Sequence, residues 1–232
     1  AHGMTRRLPR LGEIREVISR PDQERSRQQR RLDRCASVLD VRDLARRRVP
    51  RAVFDYTDGA AMSEASLRRA RSAFRHVEFT PRVMRDVSNV ELTTDILGEV
   101  SALPFAFAPT GFTRMMHHAG ESAVAGVAGR SGIPYSLSTL GTTSIEALAE
   151  AAPNTRRWFQ LYVSRDRQQA EDLMARAAAR GYDTLVLTVD TAVGGIRYRE
   201  VRNGLTIPPA LTAGALAGMA MHPRWWFNAL TT

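Results

Sequence analysis

Four short apolar runs in this chain end in groups that can donate or accept hydrogen bonds. The run 103–108 is followed by Thr110, and the run 133–137 by Ser138 and Thr139. The run 158–163 contains Gln160 and Tyr162, and the run 184–189 closes on Thr188 and Asp190. A polar side chain at the mouth of an apolar strand needs a partner, because an unsatisfied buried group costs about 1–3 kcal/mol. One such residue can be satisfied by a neighbouring loop, but four runs ending alike point to a shared polar ligand. The groups on offer are amide, hydroxyl, phenol and carboxylate, which suit a planar, heteroatom-rich organic cofactor better than a metal ion. His117, His118 and Glu121 do stand at helical metal-ligand spacing. Adjacent histidines point to different helix faces, however, and no third strong ligand is near, so a loop and helix cap is expected there and no metal.

These groups need elements to position them. The sequence predicts a helix over 41–48, with Asp40 as N-cap and Pro50 beyond its end. Pro50 then opens a second helix that Gly59 breaks, and Ser63 caps a third over 63–74. Residues 87–97, rich in β-branched residues and turn formers, predict a hairpin. Helical patterns at 120–131, 143–152 and 167–180 separate the apolar runs. The last of them sets Ala170, Leu173, Met174 and Ala177 on one face, and Gly132 and Gly181 stand where a C-terminal cap is wanted. Strands starting near 104, 134, 158 and 184 recur at the interval of a βα unit and read as buried on both faces, as in a parallel sheet. The turn after the first run is Pro109-Thr110-Gly111-Phe112, not the G-x-G-x-x-G of a dinucleotide fold. The expected fold class is therefore α/β, a (β/α)8 TIM barrel. Residues 39–232 would supply its N-terminal helical segment and about its first four βα units, behind a basic arm at 1–38.

Composition narrows the function classes. The chain has 232 residues, 44% hydrophobic and 25% charged, which excludes disordered and collagen-like chains. No apolar run is long enough for a membrane span, and the stretch around the Gly214 and Gly218 pair is too short. The single cysteine, Cys35, excludes an intrachain disulfide framework and fits a reducing compartment. No signal peptide is visible, and Ala1-His2-Gly3 before Met4 reads as an artificial extension, so a cytoplasmic location is expected. The net charge of +9 is concentrated: residues 1–51 hold 15 arginines against seven acids, whereas residues 52–232 hold 18 against 17. Such an arm can contact phosphates of nucleic acid or an anionic membrane, or it can be a solvated helical lead-in. Its acids are interspersed and no aromatic precedes Phe54, so nucleic acid is not the expected partner.

Five ordered motifs carry a resemblance. They are Phe54-Asp55-Tyr56-Thr57-Asp58-Gly59-Ala60-Ala61, Ala108-Pro109-Thr110-Gly111, Leu137-Ser138-Thr139-Leu140, Trp158-Phe159-Gln160-Leu161-Tyr162-Val163 and Leu187-Thr188-Val189-Asp190. Together they resemble the FMN-dependent 2-hydroxy-acid dehydrogenase family, from about Leu39 to Thr232. Gly195-Ile196-Arg197-Tyr198-Arg199, Ile207-Pro208-Pro209 and His222-Pro223-Arg224-Trp225-Trp226 look most like its bacterial respiratory L-lactate dehydrogenase branch.

The resemblance implies FMN as cofactor and oxidation of an L-2-hydroxy acid, lactate to pyruvate. Electrons would pass to a quinone or cytochrome, or to oxygen in the oxidase and monooxygenase branches. It also implies peripheral contact with the inner face of the cell membrane, and a homo-oligomer at full length. By the same resemblance Pro109, Thr110 and Gly111 would lie against the flavin ring, and Ser138, Gln160 and Thr188 would hydrogen-bond its polar edge. Tyr56 and Tyr162 would face the substrate, Arg197 would bind its carboxylate from a mobile loop, and Asp190 would orient a histidine base. Taken singly, Tyr56 could be a packing aromatic, Arg197 a solvated charge and Asp190 a helix cap.

The departures from the family are large. No Ser-Asn-His-Gly-Gly-Arg motif occurs, the chain has no lysine, and the family's phosphate-binding segments are missing; Ala192 stands where many relatives have proline. The expectation is a fragment or truncated form, inactive on its own. A reading of another class is a non-catalytic fragment whose arm binds anionic lipid or nucleic acid.

Overall fold

The computed structural model describes residues 26–190, 193–204 and 220–231. The expectations attached to Ala192, to Ile207-Pro208-Pro209, to Gly214 and Gly218, and to residues 1–25 of the arm lie outside them. Contacts divide the chain into two units, Ala1–Ala45 and Arg46–Thr232. Helix α1 (Arg27–Leu32) begins at Ser26, whose hydroxyl accepts from the Gln29 amide at 3.1 Å. Helix α2 (Val38–Arg46) starts three residues earlier than predicted. Ser37 and Asp40 exchange side-chain-to-amide bonds at 2.9 and 3.3 Å, so Ser37 is the cap and Asp40 the reciprocal third residue of a capping box.

In the second unit, Pro50 opens helix α3 (Arg51–Asp58) and Gly59 closes it, as predicted. Helix α4 (Ala65–Ala73) begins two residues after the predicted cap, because Glu64 adopts a left-handed φ of 60° at its entry. The hairpin lies later than predicted, as β1 (Thr94–Ile96) and β2 (Glu99–Ser101). Leu97 and Gly98 both take positive φ at its turn, the geometry that matches the twist of paired strands. The first predicted barrel strand is reduced to a single parallel bridge from Phe107 to Tyr135. Pro109 removes the next donor on the edge facing β3, and the Phe105 amide is spent on Leu103 O at 2.9 Å, which keeps the run 103–108 from pairing further.

The three later strands form as expected. β3 (Tyr135–Ser138), β4 (Arg157–Tyr162) and β5 (Tyr182–Thr188) pair in that order, all parallel. They alternate with helices α5 (Thr113–Met116), α6 (Gly120–Arg130), α7 (Ile145–Ala151) and α8 (Arg167–Ala179), followed by α9 (Tyr198–Asn203) and α10 (Pro223–Thr231). Gly132 and Gly181 take positive φ at the ends of α6 and α8, the conformation a helix C-terminus asks of glycine. The core joins Tyr135 and Leu137 of β3, Phe159 and Leu161 of β4, and Tyr182 of β5 to Ala125, Ala128, Ile145, Leu148, Ala170 and Ala177 of the helices. Two expectations need correction. The sheet is open, and no closed barrel exists among the described residues. β5 is not buried on both faces: Leu185 and Leu187 are 48% and 51% exposed, because no described element covers that side of the edge strand.

Candidate active site at the carboxyl ends of the strands

The pleat of a strand sends alternate residues to opposite faces, so burying Tyr135, Leu137, Phe159 and Leu161 against the helices turns Ser136, Ser138, Trp158, Gln160 and Tyr162 to the other face. On that face Ser138 donates to Gln160 Oε1 at 3.0 Å, and Gln160 Nε2 donates to Thr188 Oγ1 at 2.7 Å. Three of the six predicted cofactor residues thus form one relay across the carboxyl-end halves of three parallel strands. Gln160 Oε1 also accepts from the Thr139 amide at 3.2 Å, and Ser138 Oγ accepts from the Leu140 amide at 3.1 Å. Counting donors among the described residues, the second Nε2 hydrogen of Gln160 and the hydroxyl hydrogen of Thr188 remain unspent. One layer below, the buried Ser136 Oγ and Trp158 Nε1 have no hydrogen-bond partner among the described residues. This face is built to meet further polar atoms, and its unspent donors fit the carbonyl-bearing edge of a flavin.

The loop Pro109-Thr110-Gly111 stands beside the relay. Its end is pinned by the Phe112 amide, which donates to Leu140 O at 2.9 Å while Phe112 takes a left-handed φ of 54°. A Cβ on Gly111 would come within 3.0 Å of Leu140 Cβ, so the close approach of the two loops depends on glycine. Pro109 and Thr110 are exposed.

The loop after β3 is held from beneath by Glu121, fully buried at the start of α6. Its carboxylate accepts from the Thr142 amide at 2.6 Å, from the Thr142 hydroxyl at 2.8 Å and from the Thr143 hydroxyl at 2.8 Å. Burial alone would raise this carboxyl, but the surrounding donors outweigh it and hold the group below the usual carboxylate range. Glu121 is therefore spent on the loop. His117 and His118 stack on one another at 4.4 Å between ring centroids, so the three residues weighed as metal ligands serve packing and loop support.

Tyr56, on the last turn of α3, packs edge-on against Phe112 at 5.9 Å, and the Arg197 guanidinium lies 4.8 Å from its ring centroid. Burial keeps the Tyr56 phenol above its ordinary range, against the pull of Arg197 and helped by Glu200 and Tyr162. It therefore stays a neutral donor at physiological pH. Arg197 is anchored: Nη2 donates to the carbonyls of Tyr56 and of Gly59, the latter at 3.0 Å, and Nε pairs with Glu200 at 2.6 Å. Tyr162 is half-buried at the end of β4, where its amide donates to Thr139 Oγ1 at 3.1 Å. Asp190 is exposed just past β5. The structure thus joins Ser138, Gln160 and Thr188 in one set and Tyr56 and Arg197 in another. Sequence reasoning missed Glu121 as a loop support and Arg199 as an anchor for the segment that carries Arg197.

A parallel βα sheet that gathers polar groups at its strand carboxyl ends defines a class of α/β proteins that seat a ligand at that end. The chain belongs to the FMN-dependent dehydrogenase family, whose model matches residues 45–232; FMN is the cofactor of that family. A Mycobacterium tuberculosis protein, named provisionally as an L-lactate dehydrogenase, is 49% identical over 99% of this chain and 55% of its own length. The L-lactate dehydrogenase of Caulobacter vibrioides is 43% identical over 82% of this chain and 49% of its own length. The solved structure of a monotopic membrane protein, (S)-mandelate dehydrogenase, superposes with a TM-score of 0.79 at 36% identity, covering 84% of this chain and 52% of that one. The chain spans about half the length of the curated relatives it matches.

Proposed function

We propose that this chain forms part of the active site of an enzyme that oxidises an L-2-hydroxy acid, L-lactate to pyruvate, and passes the electrons to a quinone or cytochrome. The observation that carries the reading is the Ser138–Gln160–Thr188 relay, with two donors left over, beside the exposed Pro109-Thr110-Gly111 loop. Ser138, Gln160 and Thr188 would hold the polar edge of the flavin, and the loop would lie against its ring. Bound FMN supplies a two-electron acceptor for hydride. Tyr56 and Tyr162 would donate to the substrate hydroxyl and carboxylate, and Arg197 would supply the opposing charge. Asp190 would orient the histidine base and stabilise its protonated form; the family's base-bearing motif is absent from this sequence.

The names of the relatives support lactate as substrate. A 4-hydroxymandelate oxidase of Amycolatopsis orientalis, 41% identical over 81% of this chain, keeps an oxygen-using branch in view. No helix among the described residues is long and apolar enough to cross a membrane. Peripheral membrane contact, as in the monotopic mandelate dehydrogenase, accords with a quinone acceptor.

The test is spectroscopic. The intact gene product, purified with FMN and mixed anaerobically with L-lactate, should lose its visible flavin absorbance, and mandelate should act more slowly. Rapid recovery with a quinone but not with air favours the dehydrogenase. Failure to take up FMN, or a spectrum unmoved by lactate, overturns the reading.

A further inference from the structure

After β5 the chain returns to α3 and α4 through residues 195–203, and polar contacts rather than apolar burial hold it there. Ile196 is 59% exposed and Val201 70%, so the hydrophobic contribution to its seating is small. At its centre Arg199 reaches three carboxylates. Nη1 lies 3.3 Å from Asp55 Oδ1 and 3.1 Å from Asp58 Oδ2, Nη2 donates to Glu64 Oε2 at 2.7 Å, and Nε pairs with Glu64 Oε1 at 2.6 Å. The two Glu64 contacts are the bidentate fork that arginine forms and lysine does not. The pairing holds the Glu64 carboxyl below its usual range, against the opposing effect of burial. Asn203 adds a bond to Asp55 Oδ2 at 2.7 Å, and the Met62 amide donates to Ile196 O at 2.7 Å.

The fit is close enough to need two glycines. A Cβ on Gly59 would lie 3.1 Å from Arg199 Cδ, and one on Gly195 would meet Ala61 Cβ at 2.8 Å. Arg51 and Arg71 also approach Asp55 and Asp58, at 3.4 and 3.8 Å, but their side chains are 88% and 58% exposed against 32% for Arg199. Exposed pairs of that kind contribute little.

We propose that Arg199 is a positioning residue: by gathering Asp55, Asp58 and Glu64 it seats the segment after β5 on α3 and so presents Tyr56 and Arg197 to the substrate as one unit. This rests on the reading of Tyr56 and Arg197 as substrate-facing groups. The flavin relay, on the strand ends, does not depend on it.

The test uses Arg199→Gln and Arg199→Lys in the intact gene product, with two readouts. Hydrogen exchange at the Met62 amide reports the seating directly, and steady-state kinetics with L-lactate report its use. Arg199→Gln should speed Met62 exchange by about tenfold or more and raise KM by about tenfold, with kcat and flavin content changed by less than about twofold. Arg199→Lys, which keeps the charge without the fork, should fall between the two. Unchanged Met62 exchange overturns the anchor, and faster exchange with an unchanged KM overturns the positioning role. If Arg199→Gln does not fold, Glu64→Gln should move both readouts the same way by a smaller factor, and unmoved readouts there are equally fatal. An unmutated protein that neither binds flavin nor oxidises lactate sinks the functional reading instead, while Met62 exchange still decides whether Arg199 anchors the segment.

Discussion

The Gln160 side chain accepts from Ser138 and donates to Thr188, so its replacement by leucine strands two partners at once, while the Thr139 amide keeps its 3.0 Å bond to the Gln160 carbonyl. An orphaned buried polar group costs about 1–3 kcal/mol, and the lost donor is also one proposed to hold the flavin. Gln160→Leu should therefore lower both stability and flavin content of the intact gene product, measured by urea denaturation and by visible absorbance per protein. Tyr162 makes the contrasting case. Its amide bond to Thr139 Oγ1 is independent of the phenol, so Tyr162→Phe should cut lactate turnover and leave flavin content unchanged. A flavin-free Tyr162→Phe protein would move Tyr162 from substrate to cofactor. The relay residues were legible in the sequence because amide and hydroxyl groups at the ends of apolar runs demand partners. Glu121 was not legible as a loop support, because an acid in the first turn of a helix usually complements the helix dipole from the surface. Arg199 was hidden among 33 arginines, in a segment with no apolar pattern to place it.

Helices and strands followed the sequence where hydrophobic period and caps agreed, as in α3, α6, α8 and the three parallel strands. They departed from it where one local group outweighed the pattern: Ser37 displaced Asp40 as a cap, and Pro109 with the locally bonded Phe105 amide cut the first strand to one bridge. The loop after β3 belongs to this scale, since its conformation rests on one buried carboxylate. In Glu121→Gln one acceptor oxygen becomes an NH2 group among the Thr142 and Thr143 hydroxyls. The expected cost is about 1–3 kcal/mol at pH 7. The sign with pH follows from the lowered carboxyl. The charged form is favoured by folding, so its contribution is complete above the ordinary glutamate value of about 4.3 and is lost as pH falls through the depressed folded value. Denaturation curves at pH 7 and in acid should show the deficit of Glu121→Gln shrinking as pH falls. A constant deficit would mean that the mutant suffers from packing alone.

For the molecule as a whole, the 232-residue chain expressed alone should not oxidise lactate and should hold FMN weakly. The strand-end donors address one edge of the cofactor, whereas the sequence has no lysine, no Ser-Asn-His-Gly-Gly-Arg motif and none of the family's phosphate-binding segments. General-base catalysis by itself contributes about 10²–10⁴-fold. The open edge of β5, with Leu185 and Leu187 about half exposed, also invites self-association, which light scattering would report. A yellow, monodisperse, lactate-reducible preparation of this chain would refute the prediction. The hairpin β1–β2 bears on how the unit assembles. Its register is set by a two-residue turn, so it can form from local contacts within about 1–10 μs, without waiting for the parallel sheet. Its attachment is another matter: Arg156, at the entrance to β4, donates to Ile96 O at 2.7 Å and to Leu97 O at 3.4 Å across about sixty residues of chain. That loop closes only once β4 has a sheet to belong to, so the hairpin forms early and docks late, and the slow event in folding is the pairing of the parallel strands.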